Sequence, residues 1–349
     1  MPILARAPAK VILFGEHYVV YGAPGLVAAI KPFNEIGIEA GKTDAASAGF
    51  EYHSTMREND VQVPLVEAGP EGRLPVHPYA ALYHKLAGKL PALRRLRIRA
   101  QVKYAWPLKG VGNSASLGAA LGAGLRKIGG EKKTAPSSLF EDAQAADEVA
   151  HGGGRPSGID AAAASYGGVM EFEKDFENPL KPKTRQIKIA PMGGAEFLLI
   201  GTLGPGETRG STAELIAGFA RAHGIEKKPG EISERERSAV FDAYLPLFLR
   251  ARRALAKGDW KEVGKIMDEN HQMLKEKGVS SPRIEKAVSI CKSSGALGAK
   301  LSGAGGPGGV VIALAERKKA GALRSALERG GFACYEFEIA KKGAQAEKN

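Results

Sequence analysis

The chain has 349 residues, 44% hydrophobic and 25% charged, which excludes a disordered or fibrous chain and is long enough for two cores, since single cores stop growing near roughly 250 to 300 residues. Fifty lysines and arginines stand against 38 acids, a formal net charge of +12 that favours anionic ligands, yet the basic residues are scattered, with Arg94-Arg95 and Arg252-Arg253 spaced like solvated helix faces, which argues against nucleic acid. Cys291 and Cys334 make neither a disulfide framework nor a metal cluster, and with no apolar leader and no apolar run of roughly 18 residues the expectation is a cytoplasmic protein with no membrane partner.

Taken in order, Ile3 to Leu13 reads as a strand interrupted at Pro8, and Lys10-Val-Ile-Leu-Phe14 is apolar enough to be buried on both faces. Lys10 therefore either snorkels outward or is held by an anion. Gly15 to Gly22 reads as a turn and a short β segment, and residues 25–75 as antiparallel strands and loops. A helix is predicted over Pro78–Leu90 and an edge or half-buried strand over Leu96–Tyr104. That strand leads into Trp106-Pro-Leu-Lys-Gly-Val-Gly-Asn-Ser-Ala-Ser-Leu-Gly, a glycine loop feeding a helix with Asn113 or Ser114 as N-cap. Backbone N–H groups and the positive end of a helix dipole converge there, so phosphate is the expected occupant. The small residues from Ser114 to Gly124 also suit close helix packing, and both readings stand. The stretch fits neither the Walker pattern nor the dinucleotide pattern.

Ser137–Ala150 is a predicted helix, and in Pro156-Ser-Gly-Ile-Asp160 the aspartate is either the N-cap of an alanine-rich helix or a functional carboxylate. Further on come a buried strand over Phe197–Thr202 and a helix capped by Ser211 or Thr212. Two amphipathic helices are predicted over residues 233–276, parting near Gly258-Asp259, with His271 in a packing or surface role. Five glycines from Gly303 to Gly309 precede an apolar strand, which implies a backbone that approaches something closely. Lys341 to Asn349 is polar and predicted to fray.

Ala7-Pro-Ala-Lys-Val-Ile-Leu-Phe-Gly-Glu-His-Tyr-Val-Val-Tyr-Gly-Ala-Pro24 resembles the first motif of the mevalonate kinases, within the GHMP superfamily of small-molecule kinases. Gly110-Val-Gly-Asn-Ser-Ala-Ser116 resembles the second, usually Gly-Leu-Gly-Ser-Ser-Ala, with Asn113 in place of the first serine and Lys109 in place of an extra glycine. Pro156-Ser-Gly-Ile-Asp with Ser165-Tyr-Gly-Gly, the Ser211-Thr-Ala-Glu-Leu turn, Met267 to Pro282, and Leu301-Ser-Gly-Ala-Gly-Gly-Pro-Gly-Gly complete the resemblance. It implies an α+β, two-domain GHMP kinase fold: an N-terminal ribosomal-protein-S5-like domain over residues 1–190 and a C-terminal ferredoxin-like helix-rich domain over 191–349, with the site between them.

The function so implied is ATP-dependent phosphorylation of mevalonate to 5-phosphomevalonate, with Mg²⁺ and ATP bound and a homodimer left open. Asp160 and Lys10 would be catalytic, and Glu16, His17 and Thr212 would lie on the substrate side. His17 would meet the mevalonate carboxylate or hydroxyl if protonated or donating, or else belong to a structural turn; Thr212 would contact substrate or share the cap. The nucleotide would be held by Lys109, Gly110, Val111, Gly112, Asn113, Ser114, Ala115, Ser116, Gly303 and Gly305, and the metal by Ser114 with Asp147 or Glu148. A carboxylate is a weak base, so the hydroxyl proton would move late in the transfer. A unit charge pair about 4 Å apart is worth roughly 4 kcal/mol at an effective dielectric near 20, enough for Lys10 to orient Asp160 or to stabilise the attacking oxygen. The rival readings are another GHMP kinase, acting on phosphomevalonate or a sugar, and a non-catalytic nucleotide-binding protein.

Overall fold

The computed structural model describes residues 2–43, 48–54, 77–154, 156–227 and 229–348. Its elements run β1 (Ile3–Phe14), a 3-10 turn (Tyr18–Tyr21), β2 (Gly25–Lys42), β3 (Gly49–Ser54), α1 (Pro78–Lys89), a second 3-10 turn (Pro91–Arg95), β4 (Leu96–Lys103), α2 (Asn113–Ile128), α3 (Pro136–Ala150) and α4 (Ile159–Tyr166). There follow β5 (Val169–Glu173), β6 (Lys183–Ile187), β7 (Ala195–Gly201), α5 (Thr212–Arg221), α6 (Glu234–Phe241), α7 (Leu245–Lys257), α8 (Trp260–Glu276) and α9 (Pro282–Ser293). The chain ends through β8 (Gly298–Ser302), β9 (Val310–Glu316), α10 (Arg317–Arg329), β10 (Ala333–Glu336), β11 (Glu338–Ile339) and β12 (Gln345–Lys348). Among the described residues no helix is long and apolar enough to cross a membrane.

Two sheets carry the α+β fold. Among the described residues the first has eight strands, ordered β12-β1-β2-β4-β3 with β5 and β11 branching from β2 and β6 pairing with β5, and the second is an antiparallel β10-β7-β9-β8 sheet. β1 runs unbroken through Pro8: a register shift between Pro8 and Ala9 absorbs the missing N–H instead of ending the strand. β2 is antiparallel to both β1 and β4, whereas β3 pairs with β4 in parallel, so the antiparallel expectation for residues 25–75 is corrected there; its part over 55–76 lies outside the described residues. Residues 18–21 coil into a 3-10 turn, not the expected β segment, because Tyr18, Val19 and Tyr21 all go into the core from one tight turn.

Two further expectations change. Residues 233–276 form three helices, since the chain breaks after Phe241 and restarts at Leu245-Pro, proline suiting the first helical turn. The predicted frayed tail instead closes the first sheet: Ile3 to Arg6 pair with Lys348 to Gln345, and Arg6 meets Glu347 at 2.6 Å. Strand β11 likewise pairs with β2, so residues 338–348 return to the N-terminal sheet although sequence placed them with the C-terminal half.

The small residues of α2 are explained by packing. A Cβ on Gly118 would stand 2.6 Å from the Ala146 Cβ of α3, and one on Gly124 2.2 Å from Ile38 of β2. α2 thus lies close on both α3 and the sheet, and its start is fixed beside Lys10 of β1.

Candidate active site

A cleft of about 570 Å³ opens where the end of β1, the N-termini of α2 and α4, the end of α3, the start of α5 and the loop after β8 meet. Lys10, His17, Lys109, Gly110, Gly112, Asn113, Ser114, Asp147, Asp160, Thr212 and Gly303 all line it. Residues up to 293 positions apart in the chain thus share one wall.

Both helix starts facing the cleft depart from the predicted capping in the same way. Gly112 occupies the N-cap of α2 at φ +73° and Gly158 that of α4 at φ +95°, and neither helix has a side-chain cap. Asn113 and Ser114 are therefore not the cap, and neither is Asp160. Glycine takes the left-handed turn without strain; the first N–H groups of α2 keep no side-chain acceptor, while at α4 the Ile159 N–H donates to the Ser157 hydroxyl at 3.4 Å. Two positive helix ends pointing at one space favour an anion. Asn113, in place of the serine common to the motif, ties the loop instead: its amide donates to the Leu108 carbonyl at 3.1 Å and its oxygen accepts from Asn34 at 3.1 Å.

Lys10, 4% exposed on β1, places its ammonium 3.2 Å from Asp160 Oδ1 and 3.2 Å from the Gly110 carbonyl. The loop is pinned to the same strand, because Lys10 N donates to the Val111 carbonyl at 2.9 Å. A Cβ on Gly112 would lie 2.9 Å from Lys10 Cγ and 3.2 Å from Asp160 Oδ2; only glycine lets the loop pass beside the pair. Gly303, at φ +80°, brings the third glycine loop to the same spot, 3.7 Å from Lys10 Nζ by the same measure.

Asp147 faces the cleft from α3 and is nearly buried, which raises its carboxyl above the usual range. His151 caps that helix end, with Nδ1 2.7 Å from the Asp147 carbonyl and 3.4 Å from Oδ1; its hydrogen bond to the carboxylate lifts the imidazole to about 9. Glu148, one step round the helix, is not among the lining residues.

His17 is buried, and burial pushes it down to about 4, so it is neutral. Its Nε2 lies 3.0 Å from the Ala304 carbonyl, which can only accept, so Nε2 carries the hydrogen and Nδ1 is left as a bare acceptor with no partner. The expected attraction of a protonated His17 for a carboxylate is thereby corrected. Ser211 takes the cap of α5, accepting from Glu214 N at 3.4 Å, and leaves Thr212 facing the cleft.

Other expected residues are placed elsewhere. Glu16 is fully buried against Lys300 and lines no part of the cleft, because the turn after β1 points it into the second sheet. Val111 and Ala115 are core residues, and the Ser116 hydroxyl donates to the Ala7 carbonyl and accepts from Asn34. Gly305 packs on Val279, where a Cβ would stand 2.1 Å from the carbonyl oxygen.

Arg209 and Tyr104 line the cleft without having been singled out from sequence. The Arg209 guanidinium makes no hydrogen bond or ion pair among the described residues; it stands 3.3 Å from where a Gly110 Cβ would be, and burial lowers its pKa against the pull of Asp160. A lone arginine in a polar loop carries no signal of its own. Only its position beside Gly110 marks it.

The family model of the GHMP kinases C terminal matches residues 251–333. The mevalonate kinase of Aeropyrum pernix is 30% identical over 346 residues, covering 99% of this chain and 98% of that one. Among solved structures, L. major mevalonate kinase in complex with R-mevalonate superposes with a TM-score of 0.73 at 26% identity, over 96% of this chain and 94% of that one. Lactococcus lactis galactokinase complexed with galactose shares the fold at a TM-score of 0.73 and 20% identity, over 100% of this chain and 95% of that one.

Proposed function

The chain belongs to the mevalonate kinase family of the GHMP kinases, and from that premise we propose that it moves the terminal phosphoryl group of ATP to the primary hydroxyl of mevalonate through Lys10 and Asp160. The observation that carries the assignment of roles is the Lys10–Asp160 pair, 3.2 Å apart, beside two helix starts without side-chain caps.

A bond forms between the substrate's primary oxygen and the γ-phosphorus, the bond to the β,γ-bridging oxygen breaks, and ADP leaves. Asp160 receives the hydroxyl proton. Lys10 holds that carboxylate in place and offsets negative charge on the attacking oxygen. The N–H groups at the start of α2 bind the phosphates, with Lys109 at the rim and Gly303 closing the floor. Arg209, a cation without a partner among the described residues, neutralises the group in flight.

One buried carboxylate and one hydroxyl, Asp147 and Ser114, are the donor set that Mg²⁺ uses together with nucleotide phosphates. When bound, Mg²⁺ would supply neutralisation of phosphate charge. Asp147 is preferred to Glu148 because only Asp147 faces the cleft. The neutral His17 gives mevalonate an uncharged ring edge in the cleft wall, its Nε2 hydrogen spent on the Ala304 carbonyl, and Thr212 offers a hydroxyl to the same cleft.

The test is release of ADP by the purified protein with ATP and Mg²⁺ and, side by side, mevalonate, phosphomevalonate or galactose. Release with mevalonate alone is expected. Release with either of the others in its place, or ATP binding without turnover, overturns the reading.

A further inference from the structure

Glu16 and Lys300 form a fully buried ion pair across 284 residues, joining the turn after β1 to strand β8 of the second sheet. Lys300 also donates to the Leu301 carbonyl at 2.8 Å, while Glu16 Oε2 has no hydrogen-bond partner. Taking two charges out of water is a poor way to stabilise a fold, because desolvation offsets most of the attraction. What such a pair does well is fix one arrangement.

What it fixes stands one residue away. His17 is the non-glycine residue with positive φ, +60°, among those described, and such a backbone persists only where its surroundings over-determine it. The surroundings are specific. His17 donates to Ala304, two residues beyond the end of β8, and stacks on Phe219 at 4.9 Å; Ser302 accepts from Ile12 N at 2.9 Å and donates to the Ile12 carbonyl at 3.0 Å. Every second residue from Lys300 to Ala304 thus reaches across to residues 12–17. His17, Gly303 and Ala304 line the cleft, whereas Glu16 and Lys300 do not.

We propose that the Glu16–Lys300 pair is a positioning clamp for the substrate side of the cleft, holding the His17 backbone in its left-handed turn and seating the third glycine loop against it. It acts on mevalonate binding without touching mevalonate, and in this it rests on the function proposed above. The walls of the nucleotide side built from α2 and α3 lie outside its reach, and the clamp meets the phosphate site only through Gly303.

The experiment compares the wild type, Glu16→Gln, Lys300→Met and the double variant, measuring the midpoint of thermal unfolding, KM for mevalonate and for ATP, and hydrogen exchange of residues 15–22 and 303–306. Each single change strands one buried charge and lowers the midpoint; the double change, near-isosteric and uncharged, regains most of it. The clamp predicts that the double variant keeps a mevalonate KM raised about tenfold, an ATP KM within about twofold, and faster exchange at both segments. Recovery of mevalonate KM and of exchange together with the midpoint makes the pair merely structural and overturns the proposal. Should the double variant not fold, Glu16→Gln alone decides, since an unchanged mevalonate KM and unchanged exchange there overturn it equally. A wild type that ignores mevalonate removes the functional reading, and the exchange data then decide the clamp alone.

Discussion

Lys10 contacts the loop carbonyl of Gly110 and the carboxylate of Asp160 at the same distance, so its one positive charge serves both the phosphate loop and the proton acceptor. Asp160→Asn and Lys10→Met are expected to lower kcat by about 10² to 10⁴ while changing ATP KM little, read from steady-state kinetics of folded protein. His17 has the opposite character. Its folded pKa is depressed to about 4 from 6.5, so the unfolded chain binds the extra proton between these values. Stability is therefore fully present above about pH 6.5 and falls as the pH drops towards 4, by about 3 kcal/mol in total. Thermal unfolding over pH 4–7 should show a steeper slope in the wild type than in His17→Gln, since the slope from His77, His84, His223 and His271, also lowered by burial, is common to both. Lys10 stood out in the sequence as a lysine in an apolar strand, whereas Asp160 read either as a helix cap or as a functional carboxylate, and only the resemblance assigned it a role. Glu16 was misread, since its partner Lys300 lies at the other end of the chain and nothing local announces it.

At the scale of elements, the turn that opens α2 is the part most exposed to substitution. Gly112→Ala would add a methyl group 2.9 Å from Lys10 Cγ at a residue whose φ is +73°. The expected result is a loss of about 1–3 kcal/mol in stability and about a hundredfold in kcat, with the far-UV spectrum unchanged. A variant with wild-type kcat would show that the loop has slack. The helix itself was readable from its run of small apolar residues without β-branching, while the glycines served two ends that sequence left open, the loop at Gly110 and Gly112 and close packing at Gly118 and Gly124. The caps were not. Sequence favours asparagine or serine at an N-cap, whereas here glycine stands at both helix starts and the neighbouring side chains are used for the loop and for Lys10. Similarly, Gln345-Ala-Glu-Lys348 shows no strand pattern, because an edge strand held by backbone ladders needs little apolar surface.

For the molecule as a whole, the two sheets are tied together at residues 300–304 and again where β11 and β12 come back to β2 and β1. Removing residues 345–349 strips β1 of its outer partner and of the Arg6–Glu347 contact, leaving a long strand with an open edge. A lower unfolding midpoint and greater aggregation on heating are expected, measured by calorimetry and light scattering. An unchanged midpoint would show that the tail adds nothing to the sheet. The antiparallel register sets Lys348 directly across from Ile3, the relation found at the mouth of a hairpin. A two-residue Asn-Gly splice from Lys348 to Ile3 should therefore close the backbone into a ring without strain. Reopening that ring between the exposed Glu226 and Lys227 would give a permuted kinase with its phosphate-binding machinery untouched.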